Sequence, residues 1–266
     1  MQTVNETKSL LFEPIRIKNL HLKNRLVRSA THEGLADRQG FPTEKLFKLY
    51  GRLARGGVGL IITGFAYVAE DGIGYMPGMN GIHSDAHIAA YRKLVAHVHE
   101  GGARIAMQIA HAGRQTTQAA IGVQPMAPSP VKDTSTFVKP RAMSAGDIEQ
   151  VIEAFAQGAR RVQQSGFDAV QLHAAHGYLL SSFLCPHTNR RSDQWGGSVA
   201  NRMRIIRRVY RRCRELVGAD YPILIKISAT DTMKNGLTLE DSQAMARMMD
   251  EMGFDGIEVS CGIGED

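Results

Sequence analysis

The stretch His173-Ala-Ala-His176-Gly-Tyr178-Leu-Leu sets two imidazoles and a phenol within one short turn of chain. Neutral imidazole N–H groups can clamp an oxygen that gains negative charge. A phenol of ordinary pKa, about 10, is protonated at neutral pH and can give that proton away. The chemistry this pattern supports is polarisation of a carbonyl oxygen coupled to proton delivery. A His-x-x-His pair also suits an ordinary polar loop, or a metal site as in a metal-dependent barrel hydrolase. No third ligand stands at a convincing spacing, so no metal is expected.

Such groups work only if the chain holds them still, and the surrounding pattern says how. Short apolar runs rich in β-branched residues recur at 25–31, 58–65, 104–110, 169–175, 223–228 and 256–261. Between them lie stretches at 43–55, 86–100, 147–164, 200–217 and 239–252 in which apolar residues return every three or four positions. Strands alternating with helices imply right-handed crossovers and a parallel sheet buried on both faces. Thr238 suits the N-cap of the last helix, with Asp241 three residues on, and Gly253 suits its C-cap. Long connections, at 66–85, 111–146 and 176–198, all follow strands, whereas those leading from helix back to strand are short. That asymmetry is the mark of an enzyme barrel, whose active site is built by the loops after the strands. The expected fold is α/β, of the (β/α)8 TIM-barrel type, with six of eight βα units present in one domain over residues 1–266.

Composition agrees. Of 266 residues, 43% are hydrophobic and 22% charged, enough for a sizeable core and unlike a disordered or fibrous chain. The excess of 32 Lys and Arg over 26 Asp and Glu, +6, is too diffuse to argue for nucleic acid. The segment 202–214 carries seven arginines, but Ile205, Ile206, Val209, Tyr210, Cys213 and Leu216 share one face, so the arginines read as the solvated side of a barrel helix. Cys185, Cys213 and Cys261 show no CxxC spacing, which fits a reducing compartment. The opening MQTVNETKSL has no apolar core, and no run is long enough to span a bilayer. A cytoplasmic protein without membrane or nucleic-acid partners is expected.

Several blocks, LFEPIRIKNLHLKNRLVRSATHEG, GGVGLIITG, MQIAHAGRQ, HAAHGYLLSSFLCPHTNRRSDQWGGSVANR and GIEVS, together cover nearly all of the chain. In these it resembles the old yellow enzyme family of NADH:flavin oxidoreductases, in the branch of 2,4-dienoyl-CoA reductase-like and NADH oxidase-like proteins. The resemblance implies FMN as cofactor, NADH or NADPH as reductant, and a small-molecule substrate with an activated alkene. The flavin N5 would pass hydride to the β-carbon, and Tyr178 would protonate the α-carbon. His173 and His176 match the pair that holds the substrate carbonyl oxygen. Ser29, Ala30 and Thr31 match the backbone cradle of the isoalloxazine ring, with Gly64 beside it. Gln108 matches the glutamine at the flavin pyrimidine edge. Lys226 falls where many relatives carry arginine near flavin N1 and O2, keeping the charge and losing the planar fork. The block Arg190 to Ser198 is expected to order a loop over the site, with Arg191 and Asp193 as partners.

The sequence departs from the family pattern at His32, Trp195 and Ala200. It also ends after the sixth strand, before the two βα units whose loops hold the FMN phosphate in relatives. Two readings follow: an FMN-dependent NAD(P)H oxidoreductase, or a truncated, catalytically silent fragment or partner subunit. An open edge between strands one and six implies association, as a homo-oligomer or with a complementing polypeptide. Riboflavin and FMN are then expected to bind with similar, weak affinity.

Overall fold

The computed structural model describes residues 9–263, so most of the polar opening segment lies outside the described residues. All six expected strands form, in chain order: β1 (Val27–Arg28), β2 (Leu60–Ile62), β3 (Arg104–Ala110), β4 (Ala169–Ala174), β5 (Ile223–Ser228) and β6 (Gly256–Ser260). Each pairs in parallel with its sequence neighbours. The sheet is not flat. Ser29, just past β1, hydrogen-bonds through its hydroxyl to Glu258 on β6, so the two ends of the strand order face each other across a lumen. This is the curl of an incomplete (β/α)8 barrel.

Alternation along the strands sorts side chains into two cores. Those pointing outward, including Ile61, Ile105, Met107, Ile109, Val170, Leu172 and Ile225, pack beneath the helices. Those pointing inward, Leu60, Ile62, Ala106, Ala169 and Leu224, meet Leu20 and Leu22 of an antiparallel hairpin, Ile15–Ile17 with Leu20–Leu22. The hairpin thus plugs the lumen from the end opposite the long loops.

The long helices are α1 (Glu44–Arg55), α2 (His87–Glu100), α3 (Ala145–Gln164), α4 (Arg204–Val217) and α5 (Leu239–Met252). At α5, Thr238 Oγ1 accepts from the Asp241 amide and Gly253 closes the helix at φ 91°, as the sequence predicts. The Asp241 carboxylate does not complete a capping box. It turns to Arg202, and the reciprocal box forms instead at Ser144 and Asp147 before α3. Several boundaries differ from expectation: β2 forms only over Leu60–Ile62 rather than 58–65, and α3 begins at Ala145 rather than 147. The helix expected over 200–217 is broken at Met203, because Arg202 turns into the interior and donates to the carbonyls of Leu184 and Gly197 and to Asp241. Strand β1 is shorter than 25–31, since the Arg28 guanidinium takes the Ile62 carbonyl and Ser29 turns into the lumen.

The arginine-rich face of α4 is a lattice of ion pairs: Arg208 with Glu149, Arg212 with Glu153 and Glu215, and Arg214 with Asp255. Ile205, Ile206, Val209 and Cys213 on the opposite face are fully buried. Strands β1 and β6 stand at the ends of the strand order, with Val27 and Val259 exposed. Among the described residues no helix is long and apolar enough to cross a membrane.

Candidate active site

The carboxyl ends of the strands and the loops after them bring the nine sequence-predicted site residues into one region. His173 is in β4, 4% exposed, and pairs in register with Lys226 on β5. Its Nδ1 accepts the Ala175 backbone N–H, which leaves Nε2 as the protonated nitrogen of the neutral ring. Burial, with the neighbouring His176 imidazole and the Lys226 ammonium, holds His173 well below its ordinary pKa, so the ring is a neutral donor.

His176 follows where β4 runs into its loop, in a left-handed backbone conformation with φ 63°. A non-glycine residue there needs outside support. The Ser228 hydroxyl accepts its N–H and the Gln115 side chain donates to its carbonyl. Nε2 of His176 lies 2.7 Å from Ser260 Oγ, and burial and Lys226 lower its pKa. The two imidazoles stand edge to face, 5.1 Å between centroids.

Tyr178 completes the group, its ring 4.8 Å from His173 and 4.9 Å from Phe65. Burial pushes its phenol up to about 12. The loop that carries it is ordered by Arg191, which grips Asp193 at 2.6 Å and donates to the carbonyls of Pro128 and Met143. The expected Arg191–Asp193 partnership is therefore present, and it ties this loop to the one after β3.

Below these groups the inner face turns polar. Gln108 Nε2 donates to Gln171 Oε1 at 2.7 Å, and Gln171 Nε2 donates to Glu258 Oε2 at 2.8 Å. Lys226 Nζ lies 3.0 Å from both Glu258 Oε1 and Ser29 Oγ. Ala30 packs on the apolar lumen cluster, and the exposed Thr31 turns its hydroxyl back to the Ser29 carbonyl. Gly64 faces Thr31 so closely that a Cβ there would collide with the Thr31 carbonyl and with Glu33. Glu33 in turn accepts from the Gly64 amide and from the Tyr50 hydroxyl and pairs with Arg28.

Sequence reasoning missed Glu33, Gln171, Glu258 and Ser260. For two of them a signal existed. Gln171 stands two residues before His173 and Glu258 stands mid-strand in GIEVS, so each is a polar residue on the lumen side of an otherwise apolar strand.

The donor set fits a flavin ring. Gln108 is 2% exposed and commits its Nε2 to Gln171, so Oε1 is the amide atom left to meet a ligand. A buried amide with an unused acceptor, an ammonium at the other end of the same network and a neutral imidazole pair above them match a polar heterocycle lying under a carbonyl substrate.

Comparison with known proteins gives the family. The sequence profile of the NADH:flavin oxidoreductase / NADH oxidase family matches residues 10–262, and the chain belongs to that family, the old yellow enzymes. Its members bind FMN and use NADH or NADPH. The chain is 41% identical over 261 residues to an NADH oxidase of Thermoanaerobacter brockii, covering 96% of itself and 39% of that protein. It is 38% identical over 256 residues to an NADPH dehydrogenase of Geobacillus sp. (strain WCH70), covering 96% of itself and 74% of that protein. Among solved structures it is similar to a 2-naphthoyl-CoA reductase in complex with 2-naphthoyl-CoA. There the TM-score is 0.92 at 29% identity, over 97% of this chain and 41% of that one.

Proposed function

We propose that this chain carries the flavin and substrate site of an FMN-dependent NAD(P)H oxidoreductase that reduces an activated alkene, an α,β-unsaturated carbonyl or enoyl-type compound. The observation that supports it best is the meeting of His173, His176 and Tyr178 above the Gln108–Lys226 network. Gln108, Lys226 and the Ser29–Thr31 segment would hold the ring, with Gly64 leaving room for that segment's close approach. FMN, when bound, supplies two-electron chemistry between the nicotinamide and the alkene. His173 and His176, kept neutral, donate hydrogen bonds to the substrate carbonyl oxygen and stabilise the negative charge that grows there. Tyr178, held protonated, delivers a proton to the α-carbon.

Tyr178→Phe tests the assignment. Alkene reduction should slow far more than flavin reduction by NAD(P)H, whereas equal losses in the two half-reactions would remove Tyr178 as the acid.

A second reading is favoured by the exposed edges at Val27 and Val259: the chain acts only when a second copy or a complementing polypeptide covers β1 and β6. A yellow flavin spectrum retained by the monomer through gel filtration decides against it. A colourless monomer that gains colour on association decides for it.

A further inference from the structure

The network beneath the site has a direction, and one residue sets it. Gln108 and Gln171 are register partners on β3 and β4, and Lys226 and Glu258 are register partners on β5 and β6. A glutamine amide can be turned end for end, exchanging donor for acceptor, with little change of shape. An ionised carboxylate has no such freedom, because it only accepts. Burial pushes the Glu258 carboxyl up, but hydrogen bonds from Ser29, Gln171 and Lys226 outweigh it and leave the group below the ordinary glutamate value.

The consequence runs along the chain of amides. Glu258 Oε2 stands 2.8 Å from Gln171, which must therefore offer its NH2, since its carbonyl in that place would set two acceptors against each other. Gln171 Oε1 then faces Gln108 at 2.7 Å and takes a hydrogen from Nε2. Gln108 is left with Oε1, an acceptor, as its free end beneath the site.

We propose that Glu258 is a positioning residue: through Gln171 it fixes the orientation of the Gln108 amide, so that the site recognises a ring imide N–H by accepting its hydrogen. The isoalloxazine ring carries such a group at N3, between two carbonyls. The proposal rests on the flavin reading above and adds to it the residue that sets the polarity of ring recognition. Glu258 touches neither ring nor substrate in this role; its effect arrives two hydrogen bonds away.

The test compares riboflavin with 3-methylriboflavin, which lacks the N3 hydrogen, by titrating the full chain and following flavin fluorescence. The unaltered protein should bind riboflavin at least tenfold more tightly than the methylated ring. In Glu258→Gln the amide chain is free to reverse, and the preference should fall below threefold while the circular dichroism of the fold is kept. Gln171→Met cuts the relay in its middle without touching the Lys226 pair and should lower the preference in the same way. It decides the matter if Glu258→Gln does not fold. Unchanged preference in either folded variant, including an equal weakening for both flavins, overturns the proposal and assigns Glu258 a packing role. Riboflavin binding without preference in the unaltered protein overturns it while leaving the flavin site standing. Failure to bind either flavin removes both.

Discussion

Glu33 accepts the backbone N–H of Gly64 at 3.2 Å while its carboxylate pairs with Arg28 at 2.7 Å. One buried acid thereby staples the end of β2 to the segment leaving β1, both of them beside the proposed ring site.

Gly64→Ala should disrupt this staple. The added methyl meets the Thr31 carbonyl, which is backbone and cannot swing aside. Overpacking of this kind costs about 2–3 kcal/mol, and the thermal midpoint should fall by roughly 5–10 °C. A midpoint within experimental error of the parent would mean that the Ser29–Glu33 segment is free to move.

Acid sensitivity should come from the site itself. His173 and His176 have folded-state pKa values below their ordinary ones, chiefly through burial. The unfolded chain therefore takes up more protons as pH drops below about 6.5, and stability falls with it. Urea midpoints measured from pH 7 down to 5 should decline, and His173→Asn should flatten much of that decline. A parent protein equally stable at pH 5 and 7 contradicts the assignment of neutral buried rings.

Tyr178 should give the opposite behaviour at the alkaline end. Its phenol is raised to about 12, so the acid form persists well past the point at which a free phenol is half ionised. The substrate-reduction step, followed by stopped flow, should hold its rate up to about pH 10. A loss centred on pH 10 would show that the phenol feels ordinary solvent.

Much of the barrel was legible because its strands are apolar runs between glycine turns, as in GLIITGF and ILIKIS. The pair Arg191–Asp193 could be read from its motif. What could not be read depends on where a side chain turns once packed. Ser29 reaches the far side of the lumen, Arg202 leaves a helix to enter the core, and Glu33 binds a glycine thirty-one residues on. These contacts follow from the curl of the sheet, which no local pattern encodes.

Arg202 supplies a sharper test of that point. It is 4% exposed and serves two carbonyls and the Asp241 carboxylate. Arg202→Met should cost about 3–5 kcal/mol by leaving those acceptors unpaired, visible as a shifted urea midpoint. Arg202→Lys, which keeps the charge and loses the fork, should fall between.

The hairpin that plugs the lumen leaves the ribosome before any of the six barrel strands, and its apolar partners arrive one strand at a time. Leu20 and Leu22 meet their last partner, Leu224, about 200 residues later. At translation speeds of roughly 5–20 residues per second, the plug spends on the order of 10–40 s without its full seat. For that interval the nascent chain carries a greasy, half-docked stopper. Until Leu224 arrives, two leucines that the folded protein conceals keep part of their apolar surface in water.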